Sequence, residues 1–405
     1  MANKRKGKKF RNKVASADHR HSPQTHPITL DLKISDLSRS GSGVGRDEVG
    51  RAVFVPFTAP GDVVRVRLLK QKRQFAEATV LEIIDASPLR ITPRCDVFSQ
   101  CGGCQWQHIP YELQWQTKLN GVRESLRLAK IEVPPVWEEF PAQQIWGYRN
   151  RIQLRGKAGA LGFFARQSNT LVPIQRCEIA QPALNQALAA KRQEALQFNK
   201  PYKLELSLTQ DGAVQSSWNQ VHAADGFRQV NDEQNAKLQA WIVAVVDTLG
   251  RKHLYDLYGG SGNLSLPLVN RMQEIHCIDL SINIPETERQ QLPDYFHFHP
   301  AKVLPWLQQS VKEKQRPSVK PDHQPWLAIC DPPRAGLGNE AREVMGALEH
   351  LNVDSVIFVG CKADSWSRDL AQFIAQGWAL RQVAVFDFFP QTAHVESVAL
   401  LQRGE

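Results

Sequence analysis

Beyond residue 27 the chain opens on short alternations of apolar and polar positions. Ile28–Ile34, Ala52–Phe57, Asp62–Leu69 and Ala76–Ile84 each read as a half-buried strand. Gly41-Ser42-Gly43-Val44-Gly45 and Ala59-Pro60-Gly61-Asp62 read as the turns between them. Several short strands punctuated by glycine predict a small β-barrel of the OB type, closed by Pro88 and Pro93. The period then turns helical from Tyr111 to Leu128, and Pro134-Pro135 ends that segment. Residues 148–225 return to strands: Asn150–Leu154, Ala160–Phe164, Leu171–Ile174, Lys203–Leu208 and Ala213–Trp218, with a helix over Pro182–Phe198. From about Phe227 helices and strands alternate. The apolar runs Leu254–Leu257, Glu274–Ile278, Leu327–Cys330, Ser355–Val359 and Gln382–Phe388 have the look of buried strands in an open α/β sheet. Lys312–Pro325 reads as a surface loop.

Length fits this division, since 405 residues exceed one ordinary core. The units predicted are a tail over 1–27, a barrel over 28–88, a β-rich centre over 89–226 and an α/β unit over 227–405. Apolar content of 42% with 22% charged residues points to a soluble globular chain. No apolar run reaches the roughly 18 to 20 residues of a membrane span, and the N-terminus lacks the apolar core of a secretory signal. Cytoplasmic residence, without a membrane or an obligate protein partner, is the expectation. Of the net charge of +9, most sits in residues 1–20, where eight Lys and Arg face Asp18 alone. Such an arm attracts polyanions or serves as a solvated, disordered tail.

Chemistry concentrates at four places. Asp256-Leu257-Tyr258-Gly259-Gly260-Ser261-Gly262-Asn263 is a glycine turn after a strand, and the next strand ends in Asp279, where a carboxylate can hold a ribose hydroxyl pair. Asp331-Pro332-Pro333-Arg334 holds an acid extended after another strand. Arg334 stands where amine methylases usually carry a stacking aromatic, which argues against amine methylation. Cys361 follows an apolar strand as a candidate nucleophile whose pKa Lys362 or Arg334 could lower. Glu396, ahead of His394, is the candidate base. Together they suit methylation of a pyrimidine carbon, where a thiolate added to C6 makes C5 electron-rich. Cys277 and Cys330 are assigned to the core. Cys95, Cys101, Cys104 and Cys177 offer four thiolates, the usual ligation of a [4Fe–4S] cluster, with structural zinc as the rival. Uneven spacing and the Gly102-Gly103 turn favour the cluster.

On these residues the chain resembles the bacterial RNA uracil-C5 methyltransferases that use S-adenosylmethionine, in particular the iron–sulfur branch acting on 23S ribosomal RNA. The resemblance implies a TRAM domain from about Thr29 to Ala86, marked by Gly43-Val44-Gly45 and the run from Phe54 to Asp62, and a Rossmann-like methyltransferase domain at the C-terminal end. It implies cluster ligation by Cys95, Cys101, Cys104 and Cys177. Cofactor contacts fall on Gln229 (within Phe227-Arg228-Gln229-Val230-Asn231), Tyr258, Asn263, Asp279 and Asp331. Cys361 takes the place of the nucleophile and Glu396 that of the base. Three departures stand out: Gly259 for a usual cysteine, Lys362-Ala363 for Asn-Pro, and a short Leu280–Pro300 segment. Two rivals accompany this reading: a methyltransferase for the tRNA T-loop uridine, and a non-catalytic RNA-binding or ribosome-assembly factor. Trp106 and Phe164 are possible RNA contacts, though as aromatics they more often belong to a core.

Overall fold

Three β-sheets organise the chain in a computed structural model that describes residues 28–403 apart from 158, 210, 221–228, 283, 285 and 316–323. The tail expected over 1–27 lies outside the described residues, as do Phe227, Arg228 and much of the loop expected at Lys312–Pro325. β1 (Thr29–Leu37), β2 (Ser42–Arg46), β3 (Ala52–Pro56), β4 (Val63–Gln71) and β5 (Phe75–Asp85) close into a barrel in the order β1-β2-β3-β5-β4. The inward half of each alternation fills it, with Leu32, Ile34, Val53, Val55, Val64 and Val66 buried. The stretch expected as a turn, Gly41 to Gly45, is largely strand β2. A Cβ on Gly43 would lie 2.1 Å from Thr58 Oγ1, so glycine there admits a close neighbour instead of turning the chain.

α1 (Tyr111–Leu128) begins and ends where its periodicity predicts. β6 (Val136–Phe140) follows directly on Pro134-Pro135 and was not expected. β7 (Arg151–Lys157), β8 (Ala160–Phe164), β9 (Leu171–Pro173), α2 (Pro182–Ala195), β10 (Tyr202–Leu208) and β11 (Val214–Trp218) build an antiparallel sheet in the order β11-β10-β7-β8-β9. α2 buries Leu184 and Leu188 against it.

The remaining elements are α3 (Asp232–Leu249), β12 (His253–Leu257), β13 (Glu274–Asp279), a one-turn α4 (Glu286–Arg289), β14 (Phe296–Pro300), α5 (Val303–Lys314), β15 (Trp326–Cys330), α6 (Ala341–His350), β16 (Val353–Gly360), α7 (Ala363–Ala375), β17 (Trp378–Phe386) and β18 (Glu396–Arg403). Lys312 and Lys314, read as loop, close α5. The sheet runs β14-β13-β12-β15-β16-β18-β17-β6, parallel from β14 to β16, with β18 antiparallel to both neighbours. α3 packs on one face and α1, α5, α6 and α7 on the other, so both faces are dry, as near-continuous apolar strands require. Thus α1 and β6, within the range read as the central unit, pack with the C-terminal sheet. Asn231 caps α3 by accepting the Gln234 N–H at 3.2 Å, and Gly250 ends it in the left-handed region. Among the described residues no helix is long and apolar enough to cross a membrane.

Candidate active site

The parallel strands β13, β12, β15 and β16 end side by side, and their carboxyl ends deliver the candidate residues. Leu257 pairs with Cys330, so Tyr258 and Asp331 leave neighbouring strands at one level. β18 runs back along β16 with Gly360 opposite Ser397, and one further step of that ladder sets Cys361 across from Glu396. A cavity of about 920 Å³ opens at this edge. Eleven of the candidate residues line it: Cys95, Cys101, Cys104, Cys177, Gln229, Tyr258, Asn263, Asp279, Asp331, Cys361 and Glu396. Packing fixes the corner that presents Cys361. A Cβ on Gly360 would lie 2.6 Å from Trp366, whose indole N–H donates to the Phe358 carbonyl at 3.1 Å.

Burial pushes the Cys361 thiol up to about 11, with Glu396 and Asp331 adding to the rise and Arg334 opposing it. The expected lowering by Lys362 or Arg334 therefore fails in sign. Arg334 pulls the right way but is outweighed, and Lys362 is exposed at the N-cap of α7. Glu396 is held well above the usual carboxylate range by burial and then by Asp331, again against Arg334. Burial and Asp256 raise Asp331 as well. One thiol and two acids thus compete for protons beside Arg334. Crowding by protein atoms, then Arg334, Lys118 and Arg149, holds His394 down to about 4 although its edge is exposed. It is a neutral imidazole at neutral pH and does not line the cavity.

At the glycine turn Tyr258, Gly260 and Gly262 take φ of +61°, +57° and +84°. Gly260 opens onto free space, and its N–H donates to Asp279 Oδ2 at 3.2 Å. A short 3₁₀ turn, Leu266–Arg271, follows where a helix was expected. A Cβ at Gly259 would lie 2.5 Å from the Asp256 carboxyl and 2.7 Å from Cys277 Sγ, so the cysteine usual in the resembling family has no room here. Asp256 is buried beneath the turn, pushed up to about 6 by burial, and its Oδ1 has no hydrogen-bond partner among the described residues. Asn263 and Asn235 exchange amide hydrogen bonds at 2.9 and 3.0 Å, which ties the turn to α3. Gln229 is buried, its carbonyl accepting from Asn150 Nδ2 at 2.9 Å. An open glycine cradle with a carboxylate at the next strand end fits a nucleoside cofactor.

The cysteine end is built on loops from two directions. Cys95, Cys101 and Cys104 precede α1, and Cys177 precedes α2. None is in a disulfide. Burial pushes Cys104 up to about 12, with Cys177, Cys101 and Cys95 adding to the rise, and Cys177 up to about 11, with Cys101 adding to it. The Gly103 N–H donates to Cys101 Sγ at 3.4 Å. As the side chains stand, no set of three or more His, Cys, Asp or Glu among the described residues closes on a metal ion. Four free thiols line one cavity wall, a donor set of the chemical type that both a [4Fe–4S] cluster and a structural zinc ion use.

Cys277 and Cys330 are fully buried, as expected. Trp106 is buried, its indole N–H donating to the Gly41 carbonyl at 3.1 Å, whereas Phe164 is 38% exposed beneath Arg155. Sequence reasoning missed Arg149, Arg151 and Arg176 on the cavity wall. Scattered arginines in a strand-rich region give no spacing signal.

Residues 24–81 match the TRAM domain, and 176–287 with 322–404 match the tRNA (uracil-5-)-methyltransferase family. An uncharacterised RNA methyltransferase of Bdellovibrio bacteriovorus is 33% identical over 388 residues, covering 92% of this chain and 95% of its own length. A 23S rRNA (uracil(1939)-C(5))-methyltransferase of Chromohalobacter salexigens is 29% identical, covering 100% and 96%. In fold the chain is similar to the tRNA (uracil-54, C5)-methyltransferase of Pyrococcus abyssi, solved with S-adenosyl-L-homocysteine. The TM-score is 0.66 at 21% identity, with 92% of this chain and 99% of that one covered.

Proposed function

The chain belongs to the RNA uracil-5 methyltransferase family, and from that premise we propose that it methylates C5 of a uridine in 23S ribosomal RNA through a covalent bond between Cys361 and uracil C6. The observation that supports this reading is the single cavity shared by Cys361, Glu396, Asp331 and the glycine turn. Bound at that turn, S-adenosylmethionine would supply an electrophilic methyl group, with a neutral thioether as the leaving group. Gln229, Tyr258, Asn263, Asp279 and Asp331 are the residues proposed to hold it. Asn263 does so through the turn it braces.

Cys361 Sγ forms a bond to C6 of a uridine extruded from its stack, and the electron pair moves to C5. The thiol is protonated at neutral pH, so its proton passes to the neighbouring Asp331 carboxylate as the bond forms, which leaves the Glu396 carboxylate free for the later step. Once C5 carries its new methyl, Glu396 removes the remaining C5 proton. That C–H pair becomes the C5–C6 double bond, the C6–S bond breaks, and the thiolate is released.

Cys95, Cys101, Cys104 and Cys177 are proposed to hold a [4Fe–4S] cluster that braces two loops of the cavity wall and takes no part in methyl transfer. The barrel and the central sheet form the proposed RNA-holding units, bounded near 88 and 226, with α1 and β6 lent to the catalytic sheet. A tRNA uridine is the competing substrate, favoured by the family description matched over 176–287 and 322–404. Mapping 5-methyluridine in RNA from cells lacking this protein decides between them. Loss of one 23S rRNA site is expected, and loss confined to tRNA would overturn the substrate assignment.

A further inference from the structure

The β17–β18 connection carries the chain to Glu396, and one helix face holds it. α1 directs three polar side chains, Tyr111, Gln114 and Lys118, at this single loop. Lys118 Nζ donates to Asp387 Oδ1 at 2.6 Å and to the Phe389 carbonyl at 3.0 Å, and the Tyr111 hydroxyl donates to Asp387 Oδ2 at 2.9 Å. Gln114 Nε2 donates to Gln391 Oε1 at 3.1 Å, while Gln114 Oε1 accepts the Gln391 backbone N–H at 2.9 Å. Gln114, Lys118, Asp387 and Gln391 are all buried. Gln391 takes φ of +68°, a left-handed conformation unusual for its type, and its carbonyl accepts the N–H groups of Gln105 and Trp106 at 3.0 and 3.1 Å. Strain and buried polar groups persist only where surrounding contacts over-determine them. The anchor also lies close to the chemistry, because Asp387 follows Phe386, the cross-strand partner of Glu396.

We propose that α1 is the positioning element for the general base, with the Gln114–Gln391 amide pair fixing where the Glu396 carboxylate meets the C5 proton. The pair therefore governs breakdown of the covalent adduct and not its formation, which Cys361 carries from β16 through the separate Gly360–Trp366 corner. The inference rests on the reading of Glu396 as base.

Gln391→Asn tests it, since asparagine tolerates the left-handed region yet is one methylene too short to keep the side-chain bond from Gln114 Nε2, while the backbone N–H bond to Gln114 Oε1 stays. Gln114→Leu removes the pair from the helix side, and Gln391→Asn carries the test alone if that variant does not fold. Full-length protein is mixed with methyl-tritiated S-adenosylmethionine and ribosomal RNA from cells lacking this protein. The denaturant-stable protein–RNA adduct is followed by rapid quench. The expected result is wild-type adduct formation with breakdown slowed about 10²-fold, the scale of a misplaced reacting group, so that tritiated adduct accumulates. Breakdown at the wild-type rate, or formation and breakdown falling together, would overturn the proposal. Glu396→Gln separates the two layers. If it traps adduct while Gln391→Asn does not, only the positioning role fails, whereas free turnover by Glu396→Gln removes the base assignment and this inference with it.

Discussion

The two ends of the cavity bury free thiols and shift them the same way, yet the work proposed for them differs. At one end Cys104 stands at about 12, with Cys177, Cys101 and Cys95 adding to the effect of burial, and Cys177 at about 11, with Cys101 adding to it. At the other, Cys361 stands at about 11 with Glu396, Asp331 and Arg334 as its neighbours. Thiols surrounded by thiols ionise together only when a cation compensates them, which suits ligation. A thiol surrounded by carboxyls and one arginine can hand a proton to a neighbour and take it back, which suits reversible addition. Burial alone does not assign the role. The neighbours do.

Loss of Cys361 should separate the ends most sharply. Cys361→Ala is expected to form no covalent complex with 5-fluorouridine RNA and to show only background methylation, while keeping the iron proposed for Cys95, Cys101, Cys104 and Cys177. Next, Glu396→Gln should slow release of methylated RNA by about 10²- to 10⁴-fold, the usual range of a general base, leaving adduct visible on a denaturing gel. Third is a pH effect. Because the Cys361 thiolate fraction climbs toward about 11, its alkylation by iodoacetamide should quicken about tenfold per pH unit between pH 7 and 9. A flat profile would mean a thiol already ionised. The smallest effect on Cys361 should come from the far end of the cavity. Anaerobically purified protein should be brown with iron at about four per chain. Cys104→Ser should lose that colour and iron while Cys361 alkylation stays within about threefold; colourless wild-type protein with stoichiometric zinc would reassign the metal.

Much of this was legible because its signals are local. The apolar runs that became β12, β13, β15, β16 and β17 need only their own residues to be read, and α1 carries its period over its whole length. The glycine turn and the strand-end acids are likewise short-range patterns, and the sheet then brings them together. Other features belong to partners distant in sequence. β2 was hidden because glycine marks turns more often than close strand contacts. β6 and β14 are five-residue strands, and the charged pair Glu138-Glu139 or the histidines of Phe296–Pro300 mask their alternation. The sign of the Cys361 shift could not be read from Lys362 and Arg334, because desolvation is a property of the finished fold. Gln114 and Lys118 look like the polar side of an amphipathic helix until the β17–β18 loop covers them.

Peptide mapping by mass spectrometry of protein trapped on 5-fluorouridine RNA in the presence of S-adenosylmethionine tests the chemistry at its source. The expected spectrum places one 5-fluoro-5-methyluridine adduct on the peptide bearing Cys361 and leaves the other six cysteines unmodified. An adduct on any other residue, or methylated RNA produced with no adduct at all, would contradict covalent catalysis by this thiol.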